Sequence, residues 1–330
     1  MEDFNFNDKD LIPVNKNKKG PLSKLNPLFF IFMSLALVFF LYQIIGGVMT
    51  YAFLGKDLEM MNDNLNLTRI IMSFAQFMFI FFPAVVLVML QDHNLKETFR
   101  LKMPGIPVLI LSVIGILVIQ PFLQVYLYYQ NEIIFSLPFG QEIINQLREL
   151  FDTLESATEK LVVATSFPEF LIIVFAIAVT PAICEEFLFR GLVFKNFEKI
   201  IPPAKAIFFS GLLFALFHFH PFNIIPLTVL GIFLSFIVYH SGSIYTAVIC
   251  HFLNNFISAA AVYVYGADSL DTEKISPDDQ MQFILLGVFS LAVFIVVIIL
   301  IKKYSVINKD SIKNDDTGLA IPTKSDLSDE

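Results

Sequence analysis

The chain is short of charged residues. Asp, Glu, Lys and Arg make up 16% of its 330 residues, whereas soluble domains average about 25%. Hydrophobic residues make up 56%, 38 residues are Phe, and the mean hydropathy is +0.71. So little polar material cannot cover a surface in water, which excludes an ordinary soluble domain. No basic tract is present, so a nucleic-acid partner is not expected.

Cysteine is also scarce. Cys184 and Cys250 are the two cysteines, and both fall in apolar segments, which predicts small packing residues and no disulfide framework. The stretch from Met1 to Lys24 is polar and lacks a short apolar core followed by a small-residue cleavage site. We therefore expect no removable signal peptide.

Long apolar runs dominate the remainder, and a membrane span needs about 20 apolar residues. Eight segments qualify or nearly so, at about 27–53, 69–90, 106–129, 169–194, 205–220, 222–240, 243–265 and 280–301. The fifth is short and Pro221 separates it from the sixth. These two therefore form either a tight hairpin or two full crossings.

Lys and Arg indicate the orientation, because they concentrate on the cytoplasmic side. They precede span one, lie between spans two and three and between spans four and five, and follow span eight. An even number of spans with both termini cytoplasmic places all four clusters on one side. The sequence thus predicts an all-α polytopic membrane bundle of about eight transmembrane helices. Its predicted parts are a polar cytoplasmic tail (1–26), a transmembrane domain (27–303) and a disordered cytoplasmic tail (304–330).

A connection of about 40 residues follows span three. Apolar residues recur there at helical spacing, with acidic residues opposite; the apolar set is Ile143, Ile144, Leu147, Leu150, Phe151 and Leu154. This pattern predicts an amphipathic helix at the outer interface, either as a packed loop helix or with a gating role.

Span four carries charge where a membrane helix normally has none. Glu185, Glu186 and Arg190 stand as E-E-F-L-F-R, and each charge near the middle of a span costs about 2.5–3.5 kcal/mol on insertion scales. Glu186 and Arg190 are four residues apart and can pair on one face, while Glu185 points about 140° away from Arg190. Pro181 frees the carbonyl of Ile177. A purely structural ion pair would explain Glu186 and Arg190 but leaves Glu185 without a partner.

Two histidines are placed to join Glu185. His218 lies one turn after Phe214, and Asn255 lies one turn after His251. At 1.5 Å per residue, Glu185, His218 and His251 each lie about 12 to 20 Å from the basic end of their span, so they can meet at one depth. In an apolar site a carboxylate can act as a general base for water, and imidazole or carboxamide groups can stabilise an oxyanion. The convergence favours hydrolysis.

These motifs resemble the CPBP family of intramembrane proteases, which includes type II CAAX prenyl endopeptidases and bacterial immunity-type relatives. The family pattern is E-E-x-x-x-R, F-x-x-x-H and H-x-x-x-N/D, and the resemblance covers about residues 168–265. It implies that Glu185 activates water, and that Glu186, Arg190 and Phe214 support the site. His218, His251 and Asn255 would shape the water site and the oxyanion pocket, so the implied catalytic set is Glu185, His218, His251 and Asn255.

The family is often described as metalloproteases, and Glu185, His218 and His251 are candidate ligands for Zn²⁺. The sequence has no H-E-x-x-H motif, and it does not distinguish a metal-bound water from one held by Glu185 alone. The resemblance implies a membrane-associated peptide substrate, either CAAX-like and prenylated or a precursor peptide. The compact length favours a multi-pass protein of a bacterial plasma membrane.

Two other functions remain open at this point. One is a non-catalytic membrane immunity or binding protein that uses the buried charges as scaffold. The other is a transporter, which is disfavoured because the charges cluster at one depth and no pair of discontinuous half-helices is visible.

Overall fold

The protein is a bundle of long helices, seen here in a computed structural model that describes residues 20–54, 64–91, 94–138, 140–266 and 279–317. The described helices longer than one turn are α1 (Pro27–Phe53), α2 (Leu65–Gln91), α3 (Ile106–Ser136), α4 (Gln141–Val162), α5 (Phe167–Phe197), α6 (Pro203–Leu216), α7 (Ile224–Ser241), α8 (Ile244–Tyr265) and α9 (Gln280–Thr317). A four-residue helix, Leu95–Thr98, precedes α3, and a 3₁₀ turn, Pro221–Asn223, precedes α7. The predicted all-α class is confirmed.

Seven of the described helices are long and apolar enough to cross a membrane. The exception among the eight predicted spans is α6, whose 14 residues rise about 21 Å, less than the roughly 30 Å of a hydrocarbon core. Helix α6 ends at Leu216, before the chain turns at Pro221. The fifth predicted span is thus a short apolar helix that forms a hairpin with α7. The protein is an integral multi-pass membrane protein with seven helices, among the described residues, long enough to cross.

The basic segments meet at one end of the bundle. The N-terminal segment, the segment before α3, the α5–α6 turn, the α7–α8 turn and the end of α9 are joined there. The contacts pair Leu22 with Leu90, Arg100 with Glu198, Lys102 with Ser243, and His240 with Ser305. These contacts require α1, α2, α3 and α5 to α9 to alternate in direction, including the short α6. That this end is cytoplasmic stays a prediction.

Helix α4 is the predicted amphipathic helix, and it begins at Gln141 and ends at Val162. Ile143 and Leu150 on its apolar face are exposed. Its C-terminal end is fixed by Arg69 of α2, which donates to the carbonyl oxygens of Leu161 at 2.9 Å and Val163 at 2.8 Å. Arg69 is almost fully buried and also pairs with Glu169 at 2.7 Å.

Helix α5 forms the centre of the core, and every side chain from Leu188 to Phe194 is buried. Two glycines allow close packing in and around this core. A Cβ on Gly191 would lie 2.2 Å from the Phe99 ring, and one on Gly211 of α6 would lie 2.4 Å from the backbone nitrogen of Ile232 in α7. Only glycine permits the α6–α7 backbones to approach so closely.

Helix α9 continues past the predicted end of the transmembrane domain at residue 303. No glycine or proline interrupts the segment 304–317, and the helix runs to Thr317, so this part of the predicted disordered tail is helical. Residues 318–330 and 1–19 lie outside the described residues. The boundaries proposed for the two tails therefore stay predictions.

Candidate active site

Helix α5 presents Glu185 and Glu186 between two π-helical segments, Val174–Val179 and Phe187–Val193, and the second segment contains Arg190. Such segments insert an extra residue per turn and are frequent at functional sites. Pro181 lies between them and has no N–H to donate to the Ile177 carbonyl. The local sequence thus rotates the two glutamates relative to the helix on either side.

Glu186 is the centre of a buried charge network. Its Oε1 accepts from Arg190 Nη1 at 2.7 Å and lies 2.8 Å from His251 Nδ1, and Glu186 is fully buried. Arg190 also donates from Nη2 to the Gly231 carbonyl at 3.0 Å and lies 4.5 Å above the Phe214 ring. The predicted Glu186–Arg190 pair therefore forms, and His251 and Phe214 are joined to it.

Glu185 points away from that pair, toward His218. Its Oε2 lies 3.7 Å from His218 Nε2, and the side chains are 18% and 31% exposed. His218 Nδ1 lies 2.7 Å from the Phe214 carbonyl oxygen. Since a carbonyl can only accept, Nδ1 carries a hydrogen, and Nε2 is the nitrogen that faces Glu185.

The same reasoning fixes His251. Its Nδ1 donates to the Glu186 carboxylate, because an ionised carboxylate can only accept, and this leaves Nε2 as the second ring nitrogen. Each imidazole is thus held through its Nδ1, His218 by the Phe214 carbonyl and His251 by the Glu186 carboxylate. Such orientation by a second partner is what catalytic histidines require.

Asn255 lies in a chain of side-chain amides that the motifs do not reveal. Its Nδ2 donates to the Ile177 carbonyl at 3.0 Å, the group that Pro181 leaves free. Its Oδ1 accepts from Asn254 at 3.1 Å, and Asn254 Oδ1 in turn accepts from Gln120 of α3 at 2.9 Å. The sequence signal that points to Gln120 is an uncharged polar residue just before a proline inside an apolar span.

A cavity of about 320 Å³ brings most of these residues together. Five of the seven residues singled out from the sequence line it: Glu185, Phe214, His218, His251 and Asn255. Glu186 and Arg190 lie behind it as support. The remaining wall is largely apolar and includes Leu227, Leu230 and Leu234 of α7 and Val162, the last residue of α4.

The donor set was tested for a metal ion. Among the residues that the structure describes, no three His, Cys, Asp or Glu side chains are grouped closely enough to hold one. Glu185 and His218 are close, and His251 bonds Glu186 through Nδ1, which leaves its Nε2 available. The three predicted zinc ligands nevertheless do not form a three-ligand group in the described part of the chain.

Comparison with known proteins gives one match. The family model described as "Rce1-like: Type II CAAX prenyl endopeptidase Rce1-like" matches residues 167–257, from the start of α5 to two residues past Asn255. No curated protein and no solved structure matches the chain. The family resemblance inferred from the three motifs is confirmed by this match, which lies within the segment that carries them.

Proposed function

We propose, for this member of the CPBP family of intramembrane proteases, the hydrolysis of a peptide bond in a membrane-associated peptide by water that Glu185 activates. The observation that carries the proposal is the facing pair of Glu185 Oε2 and His218 Nε2, 3.7 Å apart, at the wall of a cavity whose remaining lining is largely apolar. That separation is too long for a direct hydrogen bond. It is within reach of one bridging water.

A water in that position is oriented by two acceptors. Glu185 Oε2 receives no hydrogen bond from the described residues, and His218 Nε2 bears the lone pair when its Nδ1 hydrogen is donated to Phe214. The water donates one hydrogen to each, so its oxygen lone pairs point toward the cavity. This is the arrangement that a general base needs.

The step balances with groups already present. The water oxygen attacks the carbonyl carbon of the peptide bond while Glu185 takes one proton, and a tetrahedral intermediate with a negative oxygen forms. Asn255 Nδ2 has a second hydrogen beyond the one given to Ile177, and it stabilises that oxygen as an oxyanion donor. Glu185 then returns the proton to the leaving nitrogen, and the C–N bond breaks.

Buried charge explains why Glu186 and Arg190 belong to the site without reacting. Glu186 holds the His251 ring and is itself neutralised by Arg190. This network alone also suits the non-catalytic binding protein considered above. This network does not account for Glu185, whose carboxylate faces His218 at the wall of the cavity.

The lining of the cavity supports an apolar peptide as substrate. Leucine side chains of α7 and Ile116 of α3 form much of the wall, which suits extended peptide with apolar side chains. We propose a CAAX-like, prenylated or precursor peptide held at the membrane. The polar groups at one side of the cavity would then define the bond that is cut.

The test is cleavage of a panel of membrane-anchored and prenylated peptides by purified protein in lipid nanodiscs. Glu185→Gln is compared with Glu198→Gln, a matched change in the turn after α5, where Glu198 pairs with Arg100 and does not line the cavity. We expect Glu198→Gln to cleave like wild type and Glu185→Gln to lose cleavage. A zinc chelator added to wild type is expected to leave the rate unchanged.

Three outcomes oppose the proposal in different ways. Cleavage by Glu185→Gln at the wild-type rate removes Glu185 as the base. Loss of cleavage with the chelator, restored by Zn²⁺, replaces the metal-free mechanism. If no peptide is cut and both variants restore the phenotype of a deletion strain equally, the protein is a binding protein.

A further inference from the structure

We infer that Gln120 of α3, with Asn254 as intermediary, is a positioning residue that sets the orientation of the Asn255 amide. This inference rests on the proposed function, because Asn255 acts there as the oxyanion donor. Gln120 lies outside the residues matched by the family model. Its hydrogen bond to the amides of the site goes to Asn254.

The direction of every amide in this chain is determined from both ends. At one end the Ile177 carbonyl can only accept, so Asn255 must turn its Nδ2 toward it and its Oδ1 toward Asn254. At the other end Gln120 Nε2 donates to the Ile116 carbonyl at 2.9 Å and to Asn254 Oδ1 at 2.9 Å. Two backbone carbonyls on different helices thus leave only one arrangement in which each amide is satisfied.

The chain has a mechanical consequence for Asn255. With Nδ2 and Oδ1 both engaged, the amide plane is fixed, and so is the direction of the second Nδ2 hydrogen. An asparagine held only at Ile177 could rotate about that single contact. Since displacements of about 1 Å in a catalytic group can cost about a hundredfold in rate, the second contact has a measurable role.

The sequence beside Gln120 supports a fixed placement. Pro121 follows it inside α3, and Ile116, which accepts from Gln120, lines the cavity. Gln120 is therefore anchored to the same helical turn that forms part of the cavity wall. Side-chain networks of this kind are most clearly apportioned by double-mutant cycles.

Gln120→Met is the informative variant, because methionine has a similar length and no N–H donor. Gln130→Met on the same helix is the matched control: Gln130 donates to the Phe222 carbonyl at 2.7 Å and likewise joins two helices. We expect Gln120→Met to lower kcat about ten- to hundredfold with KM unchanged. Gln130→Met is expected to keep kcat, whatever its effect on Tm.

The cycle with Asn255→Ala separates positioning from folding. In the Asn255→Ala background, Gln120→Met should cause no further loss of kcat, because the group that it positions is gone. An effect of Gln120→Met that multiplies with that of Asn255→Ala, or a kcat equal to wild type, overturns the inference. The same assay includes wild type and Glu185→Gln. If wild type cleaves and Glu185→Gln does not, the proposed function holds whatever the result for Gln120→Met.

A spectroscopic readout keeps the inference testable without any cleavage. With ¹⁵N-asparagine labelling, the side-chain amide signals of Asn254 and Asn255 should shift in Gln120→Met and stay in place in Gln130→Met. Asn254→Ala and Asn255→Ala assign these signals. If they stay in place in both methionine variants, Gln120 does not orient Asn255 and the inference is wrong.

Discussion

The adjacent residues Glu185 and Glu186 should differ in how much stability the protein loses when each is replaced by glutamine. Glu186→Gln removes a charge that is fully buried and that neutralises an equally buried Arg190. Glu185→Gln removes a charge whose Oε2 receives no hydrogen bond from the described residues and whose side chain is 18% exposed. The two variants differ by one position and by nothing in their chemistry, so each is the control for the other.

The expected magnitude follows from the contacts at Glu186. Its Oε1 accepts two hydrogen bonds, at 2.7 Å and 2.8 Å, and turning each from charged to neutral costs about 1–1.5 kcal/mol. The new amide NH₂ replaces Oε2, which has no partner among the described residues, and an unsatisfied buried donor costs about 1–3 kcal/mol. The sum, about 3–6 kcal/mol, includes the roughly 3–5 kcal/mol that breaking a buried ion pair usually costs.

Unfolding in mixed micelles on titration with a denaturing detergent, followed by circular dichroism, measures both variants. We expect Glu186→Gln to lower the free energy of unfolding by about 3–5 kcal/mol and Glu185→Gln to change it by less than about 1 kcal/mol. The double variant Glu186→Gln/Arg190→Met should recover part of the loss, because no buried charge is then left without a partner. Equal stabilities of the two single variants would refute this reading of the site.

Three further predictions concern the frame of the site. Gly211→Ala should destabilise the protein by about 1–3 kcal/mol, because the new Cβ would meet the Ile232 backbone nitrogen at 2.4 Å. A Tm unchanged in the same micelles would contradict the close α6–α7 contact. Arg69→Met should free the C-terminal end of α4 and increase proteolysis of the α4–α5 connection, whereas equal proteolysis of variant and wild type would show that Arg69 does not hold it. Pro181→Ala restores an N–H that competes with Asn255 for the Ile177 carbonyl, so kcat should fall without a loss of Tm. A kcat equal to wild type would show that the Asn255–Ile177 hydrogen bond does not contribute to the rate.

Sequence patterns predicted the parts of the site that lie within one helix. The spacing of Glu186 and Arg190 predicted their pairing, and Pro181 predicted a carbonyl without its usual donor at Ile177. Periodicity alone was sufficient for these, because both partners lie on the same helical face. The amphipathic helix α4 followed from the same reasoning.

Contacts between helices were less accessible. The bond from His251 to Glu186, and the one from Gln120 to Asn254, depend on how α3, α5 and α8 are rotated against one another. The π-helical segments of α5 shift that rotation by part of a turn, and no residue pattern marks where they occur. For the short α6 the sequence left a tight hairpin and two full crossings open, because the choice depends on glycine contacts between the α6 and α7 backbones.

The different roles proposed for Glu185 and Glu186 provide a way to find the natural substrate. We predict that Glu186 stabilises the fold and that Glu185 carries the chemistry, so one Glu→Gln substitution can remove the chemistry and keep the fold. Glu185→Gln would be a folded receptor that retains the cavity of the wild type and releases nothing by cleavage. With a photoreactive residue at the cavity edge, for example at Val162, that protein becomes a bait whose covalently held peptide can be sequenced directly.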